Sequence, residues 1–118
     1  MNKSGETGKL GEDLACAYLS DKGYRILQRN FLCRLGEIDI IAQTAEFLVF
    51  VEVKLRKNDR YGSAAEYVTT AKQARIRNTA KYYLTYRAAN LQPRFDVIEV
   101  TVDNGKVSKI NHIEDAFQ

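Results

Sequence analysis

Between Phe47 and Leu55 the apolar residues fall on alternate positions. Phe47, Val49, Val51, Val53 and Leu55 form one face of a strand, and Leu48, Phe50, Glu52 and Lys54 share the other. In the run Gly36 to Ala42 the same parity separates Ile38, Ile40 and Ala42 from Glu37, Asp39 and Ile41. A hairpin turning at Ala45-Glu46 would pair residues whose numbers sum to 91, setting Asp39 opposite Glu52 and Glu37 opposite Lys54. Helical spacing governs Gly5 to Asp21, with Leu10, Leu14, Ala15, Tyr18 and Leu19 on the inner stripe, Glu12 just off it and Gly23 as the stop. A short strand is expected over Tyr24 to Asn30, and a polar loop over Arg56 to Gly62. Ser63 to Glu66 and Thr70 to Gln73 both have capping-box form. The second opens a helix to about Arg87 whose Ile76, Ala80, Tyr83 and Leu84 face inward. Arg94 to Val102 reads as a fourth strand, Asn104-Gly105 as a type I′ turn and Lys106 to Ile113 as the return strand.

The order helix, three strands, helix, two strands predicts one α/β domain over residues 1–118, a mixed β-sheet flanked by helices. The crossover through the second helix brings Arg94–Val102 in parallel beside Leu48–Lys54. Ionised groups in otherwise buried strands need a chemical reason. A cross-strand pair has its Cβ atoms roughly 4.5 to 5.5 Å apart, so Asp39 and Glu52 are close enough to share one cation and repel each other without it. Carboxylate oxygens suit Mg²⁺ or Mn²⁺, and the chemistry that uses such a site beside a lysine is phosphodiester hydrolysis. Lys54 would orient the nucleophile or stabilise the pentacovalent transition state.

Composition narrows the setting. The chain has 118 residues, 45% hydrophobic and 28% charged, and no apolar run approaches the roughly 20 residues of a membrane span. Met1 to Gly11 is polar and lacks the apolar core of a signal peptide, so a cytoplasmic protein without membrane partners is expected. Cys16 and Cys33 stand at no metal spacing and read as buried small hydrophobes. The single histidine, His112, excludes His-rich zinc sites. A net charge of +3 is mild, but cations concentrate just after the acidic centre. The candidate nucleic-acid contacts are Arg34, Arg56, Lys57, Arg60, Tyr61, Lys72 and Arg75. Arg94 and Asp96 read as a structural salt bridge, and Tyr82, Tyr83 and Tyr86 as core and boundary packing.

The acid followed by Glu-x-Lys resembles the PD-(D/E)XK nuclease fold of type II restriction enzymes and archaeal Holliday-junction resolvases. Several motifs narrow the resemblance to the YraN family: Gly8-Lys-Leu-Gly-Glu12, Arg29-Asn30, Gly36-Glu-Ile-Asp39, Phe50-Val-Glu-Val-Lys54, Tyr61-Gly62, Lys72 and Arg94-Phe-Asp96. The resemblance covers about Gly8 to Val100 and implies a restriction-endonuclease-like sheet. It also implies that Asp39 and Glu52 bind Mg²⁺ or Mn²⁺, that Glu12 leans in from the first helix as a further acidic ligand and that Lys54 serves the nucleophile. Catalytic candidates are therefore Glu12, Asp39, Glu52 and Lys54, with Lys72 approaching a phosphate. The implied partner is DNA, branched DNA included, and symmetric cutting of a junction would require a C2 homodimer. This chain has Ile38 where the fold's name promises proline, and Thr44-Ala45-Glu46 where Asp-Gly often forms the hairpin tip. The alternative class is a nucleic-acid-binding module of DNA repair or processing that keeps the fold without turnover.

Overall fold

The computed structural model describes residues 5–57, 68–87 and 90–118. Seven elements follow in the order α1 (Gly5–Asp21), β1 (Arg25–Cys33), β2 (Gly36–Gln43), β3 (Phe47–Arg56), α2 (Thr70–Tyr86), β4 (Gln92–Asp103) and β5 (Lys106–Phe117). The strands form one five-stranded mixed sheet in the order β1-β2-β3-β4-β5. Arg60, Tyr61 and the capping box at 63–66 lie outside the described residues.

Period-2 patterning decides which helix covers which face. Val49, Val51, Val53, Ile98 and Val100 pack with Ala15 and Leu19 of α1. Leu48, Phe50 and Val97 pack with Ile76, Ala80 and Tyr83 of α2 on the other face. Each fully buried Leu, Ile, Val or Phe in these layers contributes about 1.5 to 3 kcal/mol of apolar transfer. Across the central hairpin the pairs run from Ile40↔Val51 to Gln43↔Leu48, each summing to 91 as expected. The α2 crossover sets β4 parallel to β3, from Phe47↔Gln92 to Arg56↔Thr101. Asn104 and Gly105 have φ of 53° and 77°, the two left-handed residues a type I′ turn requires. Among the described residues, no helix is long and apolar enough to cross a membrane.

Four expectations are corrected. Leu10 is exposed, whereas Glu12 sits on the buried stripe of α1 in step with Ala15 and Leu19. The helix rotates because Gly11 must lie against Leu55 and Val53, where a Cβ would meet Leu55 Cδ1 at 3.3 Å. The N-cap of α2 is Thr69, not Thr70: its hydroxyl accepts the Lys72 N–H at 3.2 Å, while Gln73 Nε2 donates to the Val68 carbonyl at 3.0 Å. The first strand continues past Asn30 to Cys33, because Asn30 takes φ 52° and the chain resumes pairing at Phe31↔Ile38. The last strand runs to Phe117 through a wide bulge that sets Glu114, Asp115 and Ala116 against Asp96 alone.

That bulge wraps a buried carboxylate. Asp96 accepts Arg94 Nε at 2.9 Å and Nη2 at 2.7 Å, the Asp115 N–H at 3.0 Å, and lies 2.7 Å from His112 Nε2. The Arg94–Asp96 salt bridge expected from the sequence is thus bidentate, and Tyr24 Oη accepts Arg94 Nη2 at 2.7 Å.

Gly36 opens β2 at φ 153°, and a Cβ there would stand 2.8 Å from Thr79 Oγ1, whose hydroxyl is tied to the Arg75 carbonyl at 2.8 Å. Thr79 is fully buried and cannot retreat. Gly36→Ala is expected to destabilise the fold by about 1 to 3 kcal/mol, read as a lower urea midpoint at unchanged slope.

Candidate functional site

Asp39 marks the point where β2 and β3 separate. The alternation of β2 breaks there: Ile38 joins Ile41 in the α2-side cluster, while Ile40 and Ala42 join the α1-side cluster. The expected pairs Asp39/Glu52 and Glu37/Lys54 fall beyond the paired stretch, which ends at Ile40↔Val51. A buried strand N–H needs a partner where the ladder stops. Asp39 supplies it, its Oδ2 accepting the Val53 N–H at 2.7 Å. The carboxylate therefore sits in the plane of the sheet, one residue along β3 from Glu52, and is only 4% exposed.

Glu52 and Lys54 project from β3 on the α2 side, in parity with Leu48 and Phe50. Glu52 is 5% exposed, and Lys72 Nζ, from the first turn of α2, lies 2.5 Å from its Oε2. Lys54 neighbours Glu99 in the parallel register of β4. Glu99 is buried and forms an ion pair with Arg56. On the opposite side of the sheet Glu12 is buried on α1, with Arg29 Nη2 at 3.9 Å, while Asp13 takes the same guanidinium nitrogen at 2.7 Å.

The structure thus brings Asp39, Glu52, Lys54 and Lys72 to one end of the β2–β3 hairpin, with Glu12 on the α1 side. Among the described residues, no three Asp, Glu, His or Cys side chains gather closely enough to hold an ion as they stand. The donor set nevertheless fits a hard cation. Asp39 and Glu52 are buried oxygen donors on adjacent strands, and Glu52 already holds a positive group at contact distance.

The cations expected to meet nucleic acid divide. Arg34, in the β1–β2 turn, Lys57, just past β3, and Arg75, on α2, are exposed. Arg56 is turned inward to Glu99 and Lys72 to Glu52. Cys16 is half-buried and Cys33 likewise, both as free thiols. Burial pushes the Cys16 thiol up, against the opposing pull of the Arg29 guanidinium, which suits packing rather than nucleophilic work.

Sequence reasoning missed Glu99 as a member of this constellation. Its signal was present, an acid in step with Phe95 and Val97 in a strand expected to be buried. What linked it to Lys54 and Arg56 was the parallel register, which a crossover of this length leaves open.

A sequence model of the family described as uncharacterised protein family UPF0102 matches residues 11–100. A UPF0102 protein of Syntrophus aciditrophicus (strain SB) is 46% identical over 119 residues, covering 100% of this chain and 93% of the relative. One from Caldicellulosiruptor bescii is 46% identical over 115 residues, covering 95% of this chain and 97% of its own. One from Clostridium perfringens (strain ATCC 13124) is 48% identical over 120 residues, covering 99% and 96%.

Proposed function

This chain belongs to the uncharacterised protein family UPF0102, the YraN family its motifs resemble, and from its site we propose a metal-dependent endonuclease that hydrolyses phosphodiester bonds in DNA, branched DNA included. The observation that carries the reading is the seat of Asp39. The sheet gives up its ladder at that residue and places a buried carboxylate beside Glu52 and Lys54. A structural acid has no need of such an arrangement, since continued pairing would satisfy Val53 without burying a charge.

Asp39 and Glu52 would hold Mg²⁺ or Mn²⁺, and Glu12, which faces Arg29 on the α1 side of the sheet, would have to turn past the split at Asp39 to join them. Such an ion would supply Lewis-acid stabilisation of charge on the scissile phosphate and would lower the pKa of a nearby water. Lys54, on the same face and two residues beyond Glu52, orients the attacking water and meets the charge that builds on the phosphate. Arg34, Lys57 and Arg75 are the exposed cations placed to neutralise flanking phosphates. They serve any sequence alike, so recognition rests on backbone and shape.

A second reading, a nucleic-acid-binding module without turnover, is favoured by the contact of Lys72 with Glu52, which neutralises one of the two metal ligands. Incubation with labelled linear, flapped and four-way-junction DNA in Mg²⁺ or Mn²⁺ separates the two. The nuclease reading predicts cutting that stops with EDTA. Tight binding with intact DNA in every mixture would favour the module.

A further inference from the structure

Lys72 stands in the first turn of α2, at the positive end of the helix dipole, where a cation is unfavourable and the turn itself carries no acidic residue. Its main chain is fixed, because its N–H is held by the Thr69 cap. Its ammonium reaches Glu52 Oε2 at 2.5 Å. The side chain is 27% exposed against 5% for Glu52, so the lysine borders solvent while its partner does not. A long flexible stem ending in a point charge is suited to changing partners without moving the backbone.

We propose that the Lys72 ammonium and a divalent cation are alternative partners of Glu52, and that a substrate phosphate, by drawing Lys72 towards itself, favours the cation. The inference rests on the metal-site reading above and adds to it a coupling between metal and nucleic acid. An ammonium and a dication cannot both contact one carboxylate oxygen without strong like-charge repulsion across a short, poorly solvated gap. Binding of the ion therefore moves Lys72 off Glu52. The displaced ammonium, which already borders solvent at the start of α2, is within reach of a phosphate that approaches there. A phosphate at that end would take Lys72 and strengthen ion binding, and by reciprocity the ion would strengthen phosphate binding by the same factor.

The test is Mn²⁺ binding followed by electron paramagnetic resonance, with and without a short duplex bearing non-hydrolysable phosphorothioate linkages. The proteins are native, Lys72→Met, Lys72→Arg and Glu52→Gln, each checked for an unchanged thermal transition. Lys72→Met should bind Mn²⁺ on the order of fivefold more tightly than native, with Lys72→Arg close to native. The duplex should tighten Mn²⁺ binding to the native protein and lose that effect in Lys72→Met. Unchanged or weaker Mn²⁺ binding in Lys72→Met, or an equal duplex effect in both, would overturn the exchange while leaving the metal site in place. Mn²⁺ binding that is undetectable in native protein, or equal in native and Glu52→Gln, would overturn the metal site itself and the exchange with it.

Discussion

Replacing Asp39 by asparagine is expected to lower metal-dependent cleavage by about a hundred- to a thousandfold while changing stability by less than about 1 kcal/mol. The asparagine carbonyl can still accept the Val53 N–H that Asp39 Oδ2 takes at 2.7 Å, so the split in the sheet keeps its plug. What disappears is the negative charge, and with it the proposed ligand. Alanine at the same place has a different signature. It leaves a buried N–H without an acceptor, which costs about 1 to 3 kcal/mol in addition to the loss of activity. Cleavage rates and urea midpoints measured on both variants distinguish a ligand from a plug. A structural role alone would leave Asp39→Asn fully active, and a ligand role alone would make the two variants equally stable.

The second large effect lies away from the site. Asp96→Ala is expected to destabilise the fold by about 3 to 5 kcal/mol, because it takes the carboxylate away from the largely buried Arg94 and His112 side chains and the acceptor from the Asp115 N–H. The melting temperature should fall by about 10 to 20 °C. Burial by itself would raise the pKa of this carboxyl group. Hydrogen bonds from His112, Arg94 and the Asp115 N–H instead hold it below the ordinary carboxylate range. Its folded value is therefore lower than the unfolded value of about 3.9. The stability it supplies is complete above the unfolded value and is lost as pH falls through the folded one. Thermal scans from about pH 5 downwards should show the advantage of native protein over Asp96→Asn shrinking as pH falls below about 4. A gap that widens on acidification would contradict the assignment.

Much of this was legible from alternation. The five apolar positions from Phe47 to Leu55 all pack on the α1 side and Leu48 and Phe50 on the α2 side, so the faces of Glu52 and Lys54 followed directly. The hairpin sum of 91 also held as far as Ile40↔Val51. It failed at Asp39, because period-2 patterning assumes an unbroken pleat and carries no sign of where a ladder ends. The break is the feature that seats the acid. Glu12 was misplaced for a related reason: helical periodicity sorted Leu10 inward by hydrophobicity, whereas the close approach of Gly11 to Leu55 turns the helix to bury the acid. The three-residue bulge around Asp96 was invisible because its cause is a side chain on the neighbouring strand rather than anything in its own sequence. Lys72 was expected near a phosphate, and its hold on Glu52 depends on how α2 docks, which no local pattern encodes.

The most direct test of the proposed chemistry is the Mn²⁺-dependent cleavage rate of a labelled four-way junction by native protein, Glu52→Gln and Lys54→Ala, purified alike and matched for thermal transition. Cutting by the native protein is expected, with losses of at least about a hundredfold in each variant. Equal rates in all three preparations, or no cutting by any of them on junction, flap or linear DNA, would contradict the metal-dependent nuclease.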